Sequence, residues 1–175
     1  FRRRAQRNLS AAHPELPLPE DNFIPSEEEV AGILRLGDRA AVLLRLGDFR
    51  LTMLTEADLD EDMAAIEESM EELAGIFGVP WPRGLTREAD RADLVRHRRE
   101  FAARRAFAWV IRDRAGAYLG CAYVRPSPDR PGTARVAHWM RTRAAARGPA
   151  FQALFHDWLR GPLWPPMEMT VIAPP

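Results

Sequence analysis

The spacing of apolar residues in the middle of the chain predicts two consecutive helices. Between positions 59 and 73 apolar side chains recur every three or four residues, which places them on one helix face. Thr55 can cap the start of this acidic helix, and Gly75 can end it. Thr86 can cap a second helix that runs to about Arg105. We expect the stripe on the first helix to face a core: Leu59, Met63, Ile66, Met70 and Leu73.

Short apolar runs elsewhere predict strands. Residues 40–44 and 49–54 are separated by Gly47 and Asp48, a pair that favours a hairpin. After the two helices, the pattern predicts a three-stranded meander, a helix and a last strand. Their expected bounds are 107–112, 118–125 and 134–141 for the meander, about 149–160 for the helix, and 167–173 for the last strand. This order predicts an α/β sandwich, with a mixed sheet flanked by helices, rather than a repeating βαβ fold.

The start of the chain differs from the rest in composition. Residues 1–25 combine an arginine cluster with four prolines, and we expect an arm with little regular structure. Ser26 and Glu29 match a capping box, so a short helix is expected from Ser26 to about Leu36. We therefore divide the chain into an arm, 1–25, and a single domain, 26–175.

Composition and charge exclude several classes of function. The 175 residues carry 25 basic and 25 acidic side chains, so the chain has no overall charge that favours nucleic acid or an anionic membrane. Lysine is absent, which excludes a Schiff-base lysine and the lysine of a phosphate-binding P-loop. Cys121 is the single cysteine, and no apolar run reaches about 18 residues. We therefore expect a cytoplasmic protein without a disulfide or a membrane span.

The second predicted helix carries a polar constellation. Asp90, Asp93, His97 and Glu100 follow one another at spacings of three, four and three, on one side of the helix. Carboxylates beside a histidine suit proton transfer or metal binding, whereas ordinary surface ion pairs are the alternative explanation. No further ligands at metal spacing occur elsewhere. We therefore expect no metal site, and a metal-dependent hydrolase is the weakest of the functions considered.

The segment before the last predicted helix has the features of an anion site. Residues 144–150 are small apart from Arg147, and they lead into a helix N-terminus. Free backbone N–H groups and the helix dipole favour a pyrophosphate at such a place, and Arg143 and Arg147 add positive charge. The alternative is a plain helix start, in which Gly148 makes the turn and Pro149 occupies the first helical turn.

The order of elements resembles the GNAT N-acetyltransferases, which have a strand, two helices, an antiparallel meander, a helix at the cofactor and a fifth strand. The resemblance covers residues 49–173. Four stretches are similar to a bacterial GNAT-like group: Phe49-Arg50-Leu51, Tyr118-Leu119-Gly120-Cys121-Ala122-Tyr123, His138-Trp139-Met140-Arg141 and Arg147-Gly148-Pro149-Ala150. The resemblance implies a GNAT-like, mostly antiparallel sheet. Family members continue after the fifth strand, so the expected sheet here is either shortened at its C-terminal end, completed by a partner chain, or extended by the N-terminal hairpin.

The resemblance also implies acetyl-CoA as co-substrate and a small-molecule or protein amine as acceptor. The family's cofactor loop reads Gln/Arg-x-x-Gly-x-Gly/Ala. Gly148 and Ala150 match its last two fixed positions, whereas Ala145 replaces the first, and Pro149 lacks a backbone N–H that the loop could donate. The amine site implied on the second helix comprises Asp93, His97 and Glu100. The positions implied for the cofactor are Trp139, Met140, Arg141, Ala145, Ala146, Arg147, Gly148 and Ala150.

Catalytic groups are harder to assign. His138 is a candidate base on the fourth strand of the family order, and Glu168 on the last strand is a candidate that acts through water. Family members often supply a tyrosine acid from strands after the fifth, whereas this sequence ends at Pro175 and its tyrosines are Tyr118 and Tyr123. The alternative function is therefore a catalytically inactive GNAT-like domain that binds a ligand or partner, or forms a homodimer through an open sheet edge.

Overall fold

The computed structural model describes residues 44–77, 80–127, 130, 133–161, 164 and 168–172. The arm expected at 1–25, the short helix expected from Ser26, and positions 40–43 of the hairpin lie outside these residues. Among the helices in the described part of the chain, none is long and apolar enough to cross a membrane.

The described residues form one six-stranded sheet in which the strands lie side by side in chain order. Neighbouring strands are antiparallel except for the last pair, which is parallel. This is the mixed, mostly antiparallel sheet that the sequence predicted. The strands are β1 (Leu44–Leu46), β2 (Phe49–Met53), β3 (Phe107–Arg112), β4 (Tyr118–Pro126), β5 (Thr133–Met140) and β6 (Glu168–Ile172).

Between β2 and β3 the chain forms three helices. A 3-10 turn, Glu56–Asp58, precedes α1 (Leu59–Glu68) and the single turn α2 (Met70–Leu73), and α3 (Arg87–Ala102) follows. The predicted first helix is thus divided at Ser69, whose backbone is not helical. Both predicted caps are confirmed. The Thr55 hydroxyl accepts from the Ala57 N–H, and the Thr86 hydroxyl accepts from the Ala89 N–H at 3.1 Å.

The sheet has a core on each face. Helix α4 (Gly148–Leu159), which follows a 3-10 turn at Thr142–Arg147, packs on one face through Phe151, Phe155 and Leu159. Helices α1 and α3 cover the other face, where Ile66 and Leu94 meet alternate residues of β3, β4 and β5. Because strand side chains alternate between faces, each strand contributes to both cores.

Candidate functional site

Within the described residues, the last residues of β5 have no strand paired with them on the β6 side, and this unpaired side is called the open edge below. The Arg141 N–H donates to the Leu119 carbonyl at 2.7 Å, so Arg141 bonds to β4. Alternate residues of an antiparallel strand bond to the same neighbour, and Met140 therefore directs its N–H and C=O the other way, toward β6. Among the described residues, pairing with β6 ends at Ala137 and Ile172. Trp139, Met140 and Arg141 are the β5 positions implied for the cofactor, whose pantetheine arm pairs with strand backbone in the family. Of these three, only Met140 has its backbone N–H and C=O at this edge.

The N-terminus of α4 lies beside that edge. A Cβ built on Gly148 would lie 3.7 Å from His138 Nε2 and 3.8 Å from Met140 Cγ, so the glycine leaves space directly above β5. The 3-10 turn runs straight into the helix, and the Gly148 N–H donates to the Ala145 carbonyl. Pro149 has no N–H. The predicted loop is therefore a helical turn, which leaves fewer free amide donors than a wide loop offers.

Two arginines next to this turn supply positive charge. The Arg143 side chain is 67% exposed, with Glu68 at 3.8 Å. The Arg147 guanidinium lies over the Phe49 ring at 4.8 Å and reaches Asp113 at 3.9 Å. Both side chains are thus close enough to solvent to meet an anionic group, whereas Arg141 is buried and fully engaged.

A polar clasp joins the α1–α2 junction to the end of β5. Glu68 accepts a short hydrogen bond from Arg141 Nη2 and a second, at 2.9 Å, from Arg141 Nε. Its other oxygen accepts from the Arg143 N–H at 3.2 Å. The buried Ser69 hydroxyl accepts from the Thr142 N–H at 2.9 Å. Arg141 and Arg143 hold the pKa of the Glu68 carboxyl below its usual range, chiefly through the Arg141 hydrogen bond.

Ser69→Ala is expected to lower the free energy of unfolding by about 1–2 kcal/mol, because it leaves the Thr142 N–H without its acceptor. Urea denaturation measures the loss. Thr142→Val is the control, since it removes only an exposed hydroxyl bond to the Glu68 carbonyl and is expected to cost less than about 0.5 kcal/mol. Equal losses in the two variants would contradict a structural role for the clasp.

The two candidate bases lie far apart along the sheet, His138 near the end of β5 and Glu168 on β6 beside the start of β5. His138 is buried beneath α4, with its ring 5.4 Å from that of Phe151. Burial, with a smaller effect of His156, lowers the pKa of His138 to about 4, so the ring is neutral at neutral pH. Glu168 pairs with Thr133, five positions before His138 on β5, which corresponds to about 17 Å. The structure therefore does not bring His138 and Glu168 together.

The constellation on α3 is a buried network rather than a set of surface pairs. Arg96 donates to Asp93 at 2.9 Å and to Glu100 at 3.1 Å. Arg125, on β4, donates to His97 Nδ1 and to Glu100, each at 3.3 Å. Asp93 and His97 are both buried, which corrects the expectation of an ordinary surface pair between them. The two arginines balance the two carboxylates inside the protein.

This network is distant from the open edge. Gly120 is opposite Met140 in the sheet, and Arg125 lies five residues further along β4, or about 17 Å. The structure thus places Asp93, His97 and Glu100 together, but away from Met140 and Gly148. Among the described residues, no group of three or more His, Cys, Asp or Glu side chains could hold a metal ion.

A second buried polar group, which the sequence analysis missed, lies closer to the edge. Asp62 of α1 accepts a short hydrogen bond from the Tyr118 hydroxyl and one from Cys121 Sγ at 3.7 Å. The Tyr118 hydroxyl and Cys121 Sγ are 2.9 Å apart, and the Asp90 carboxyl interacts electrostatically with that of Asp62. Asp62 occurs three residues after Leu59 and four before Ile66, so its place on the apolar stripe was the signal available in the sequence.

The fold is similar to that of solved acetyltransferases. A ribosomal-protein-alanine acetyltransferase from Vibrio fischeri superposes with a TM-score of 0.52 at 16% identity, over 67% of this chain and 66% of that one. RimL, a ribosomal alpha-N-protein acetyltransferase in complex with coenzyme A, gives 0.54 at 14% identity, over 67% and 68%. The self-immunity acetyltransferase MccE, in complex with acetyl-CoA and AMP, gives 0.53 at 12%, over 65% and 62%.

The chain has the GNAT fold. Three solved acetyltransferases, including the one from Vibrio fischeri, are covered to 64%, 66% and 65% of their own lengths. The chain therefore spans slightly less than two thirds of these structures. No family model matches the sequence, and no curated protein matches it either. The fold predicted from the order of elements is therefore confirmed.

Proposed function

We propose that the protein is an N-acetyltransferase that transfers the acetyl group of acetyl-CoA to an amine of a protein or a small molecule. The observation that carries the proposal is the backbone edge at Met140, which among the described residues lies beyond the last pair with β6 and directly below the N-terminus of α4 in a GNAT fold. A backbone edge beside a helix N-terminus can pair with an extended amide chain and attract a pyrophosphate at the same time.

The residues present fit the cofactor in three respects. Met140 offers a backbone donor and acceptor, Gly148 leaves room above β5, and Arg143 and Arg147 place guanidinium groups beside the helix start. The amides of Thr142, Arg143 and Gly148 already have acceptors within the protein. We therefore propose that side-chain guanidinium groups, more than backbone amides, hold the phosphates.

The protein contributes to the reaction by positioning the thioester and the amine. Acetyl-CoA supplies a thioester whose carbonyl carbon an amine lone pair can attack, with the thiol as leaving group. We propose that Met140 orients the pantetheine arm, and that the amine approaches along the β5 edge, because α4 covers one face of the sheet and α1 and α3 cover the other. Glu100, the most exposed carboxylate of the α3 network, lies beside Arg125, about 17 Å along β4 from Gly120, so we propose it as a contact for the distal part of an extended acceptor such as a peptide.

The proposal assigns no proton transfer to Glu168, which lies on β6 opposite Thr133, at the other end of β5 from Met140. His138 remains the proposed side-chain acceptor at the open edge. Because its ring is neutral above a pKa of about 4, it can accept a proton, although it is a weak base.

Calorimetric titration with acetyl-CoA tests the proposal. We expect micromolar binding by the wild-type protein and at least a tenfold loss in Gly148→Glu, because the new carboxylate projects toward His138 and Met140 where the phosphates approach. Turnover is then measured as free thiol released in the presence of amines, including a peptide with a free N-terminus.

Ala153→Glu is the matched control, since it adds the same charge to an exposed position of α4 beyond the first turn. We expect its affinity to equal that of the wild type. An absence of binding by the wild-type protein at millimolar acetyl-CoA would overturn the enzyme proposal and favour a GNAT-fold binding or dimerisation domain.

A further inference from the structure

Three arginines form a row across the first three strands of the sheet. Arg45 on β1 is directly opposite Arg50 on β2, and Arg50 is directly opposite Arg112 on β3. Side chains directly opposite each other project from the same face. The row therefore concentrates positive charge at the edge of the sheet.

Within the described part of the chain, Arg112 is the member of this row that is neutralised. Arg112 donates to Asp58 at 3.0 Å and to Glu61 at 2.5 Å. Among the described residues, no carboxylate forms an ion pair with Arg45 or with Arg50. Like charges directly opposite in a sheet repel each other, so this arrangement is unfavourable unless an anion lies between them.

The two unpaired arginines line a cleft of about 360 Å³ at the β1–β2 hairpin. Its other lining residues are Gly47, Asp48, Phe49 and Arg114. Arg114 is paired with Asp48 at 2.5 Å, which leaves the charges of Arg45 and Arg50 in excess. The volume lies within the range of roughly 300–1,000 Å³ that is usual for small-molecule sites. An excess of two guanidinium groups matches a dianion, and their planar forks suit phosphate oxygens.

We propose that this cleft binds a phosphate group, held between Arg45 and Arg50, with Arg114 at its rim. The cleft uses none of the residues assigned to the acetyl-CoA site. The phosphate can belong to a separate ligand or to the nucleotide end of the cofactor proposed above, and the experiment separates these two sources.

The test is a calorimetric titration of the full chain with inorganic pyrophosphate. We expect saturable binding at one site, and at least a tenfold loss of affinity in the double variant Arg45→Gln, Arg50→Gln. The matched control is Arg91→Gln, Arg99→Gln, which removes two charges from exposed positions of α3 and is expected to bind as the wild type does. Thermal unfolding checks the fold of each variant. Removal of the opposed charges is expected to leave the melting temperature unchanged or to raise it.

A titration with pyrophosphate in saturating acetyl-CoA identifies the source. Competition means that the cleft takes a phosphate of the cofactor, and simultaneous binding means that it takes a separate phosphorylated ligand; both outcomes support the site. Equal losses in the two double variants, or no saturable binding by the wild type, would overturn it. Because the measurement needs no acyl transfer, its failure is distinguishable from failure of the acetyltransferase proposal.

Discussion

Replacement of Gly120 by alanine is expected to lower the free energy of unfolding by at least ~3 kcal/mol. A Cβ at this position would lie 2.0 Å from the Trp139 carbonyl oxygen and 2.9 Å from the Met140 Cα, both in the backbone of β5. The glycine also has φ +154°, which side chains rarely adopt. The clash can be relieved only if β4 and β5 separate, and urea denaturation of the two proteins measures the cost.

Gly116→Ala is the matched control for this prediction. Gly116 lies in the β3–β4 turn with φ +92°, and nothing lies within 4 Å of its built Cβ. Its substitution therefore reports backbone strain without a clash, and a loss of only about 1 kcal/mol is expected. Similar losses at the two glycines would show that the close approach of β4 and β5 carries no additional energy.

Gly120 also bears on the proposed cofactor edge, because it is the residue opposite Met140. A separation of β4 from β5 would displace the backbone that is expected to pair with pantetheine. Gly120→Ala should therefore weaken acetyl-CoA binding even at temperatures where the variant remains folded. Intact affinity in a folded variant would indicate that the cofactor does not use the Met140 edge.

The elements that the sequence predicted correctly are those with strong local signals. Thr86 caps α3 as expected because a side-chain acceptor followed by a helical pattern needs no tertiary information. The strand Phe107–Arg112 was predicted at its observed bounds because it is a continuous apolar run between turn residues. The antiparallel meander followed from short turns between such runs.

The parts that could not be predicted depend on contacts between distant residues. The first predicted helix is divided at Ser69, whose hydroxyl bonds to the Thr142 N–H, 73 positions away in the chain. The α3 network became buried because Arg125 of β4 reaches His97 and Glu100. Helical spacing placed Asp93, His97 and Glu100 on one side, but it carried no information about which strand that side would meet.

The pair Asp62 and Asp90 is the clearest case of such a contact, and it gives the protein an unusual dependence on pH. Each residue is only 4% exposed, and each carboxyl shifts the pKa of the other. Among the described residues, Asp90 Oδ2 has no hydrogen-bond partner. Burial, and then the neighbouring carboxylates, raise the pKa of Asp90 to about 8, while burial raises that of Asp62 to about 6. At neutral pH the pair therefore holds one proton.

The sign of the pH effect follows from proton binding. In the unfolded chain both carboxyls lose their protons near pH 4, whereas in the folded protein Asp90 keeps its proton up to a pKa of about 8. Between pH 6.5 and 8 the folded state binds one more proton, so the free energy of unfolding is expected to fall by up to ~1.4 kcal/mol per pH unit. The lowered pKa values of His138 and His156 act in the opposite direction, and their effect fades above the ordinary histidine pKa of about 6.5, so the slope assigned to Asp90 is clearest above pH 7.

Asp90→Asn is expected to remove most of this slope, because the carboxamide keeps the shape of the protonated acid and cannot ionise. Between pH 6.5 and 8.5 the stability of the variant relative to the wild type should therefore rise by about 2 kcal/mol, as one proton over the window implies. Urea denaturation between pH 6.5 and 8.5 makes the comparison. Asp157→Asn, at an exposed position of α4, should retain the wild-type slope. A variant that is strongly destabilised at pH 7, with the slope intact, would mean that Asp90 is ionised in the folded protein and that Asp62 or another group carries the proton.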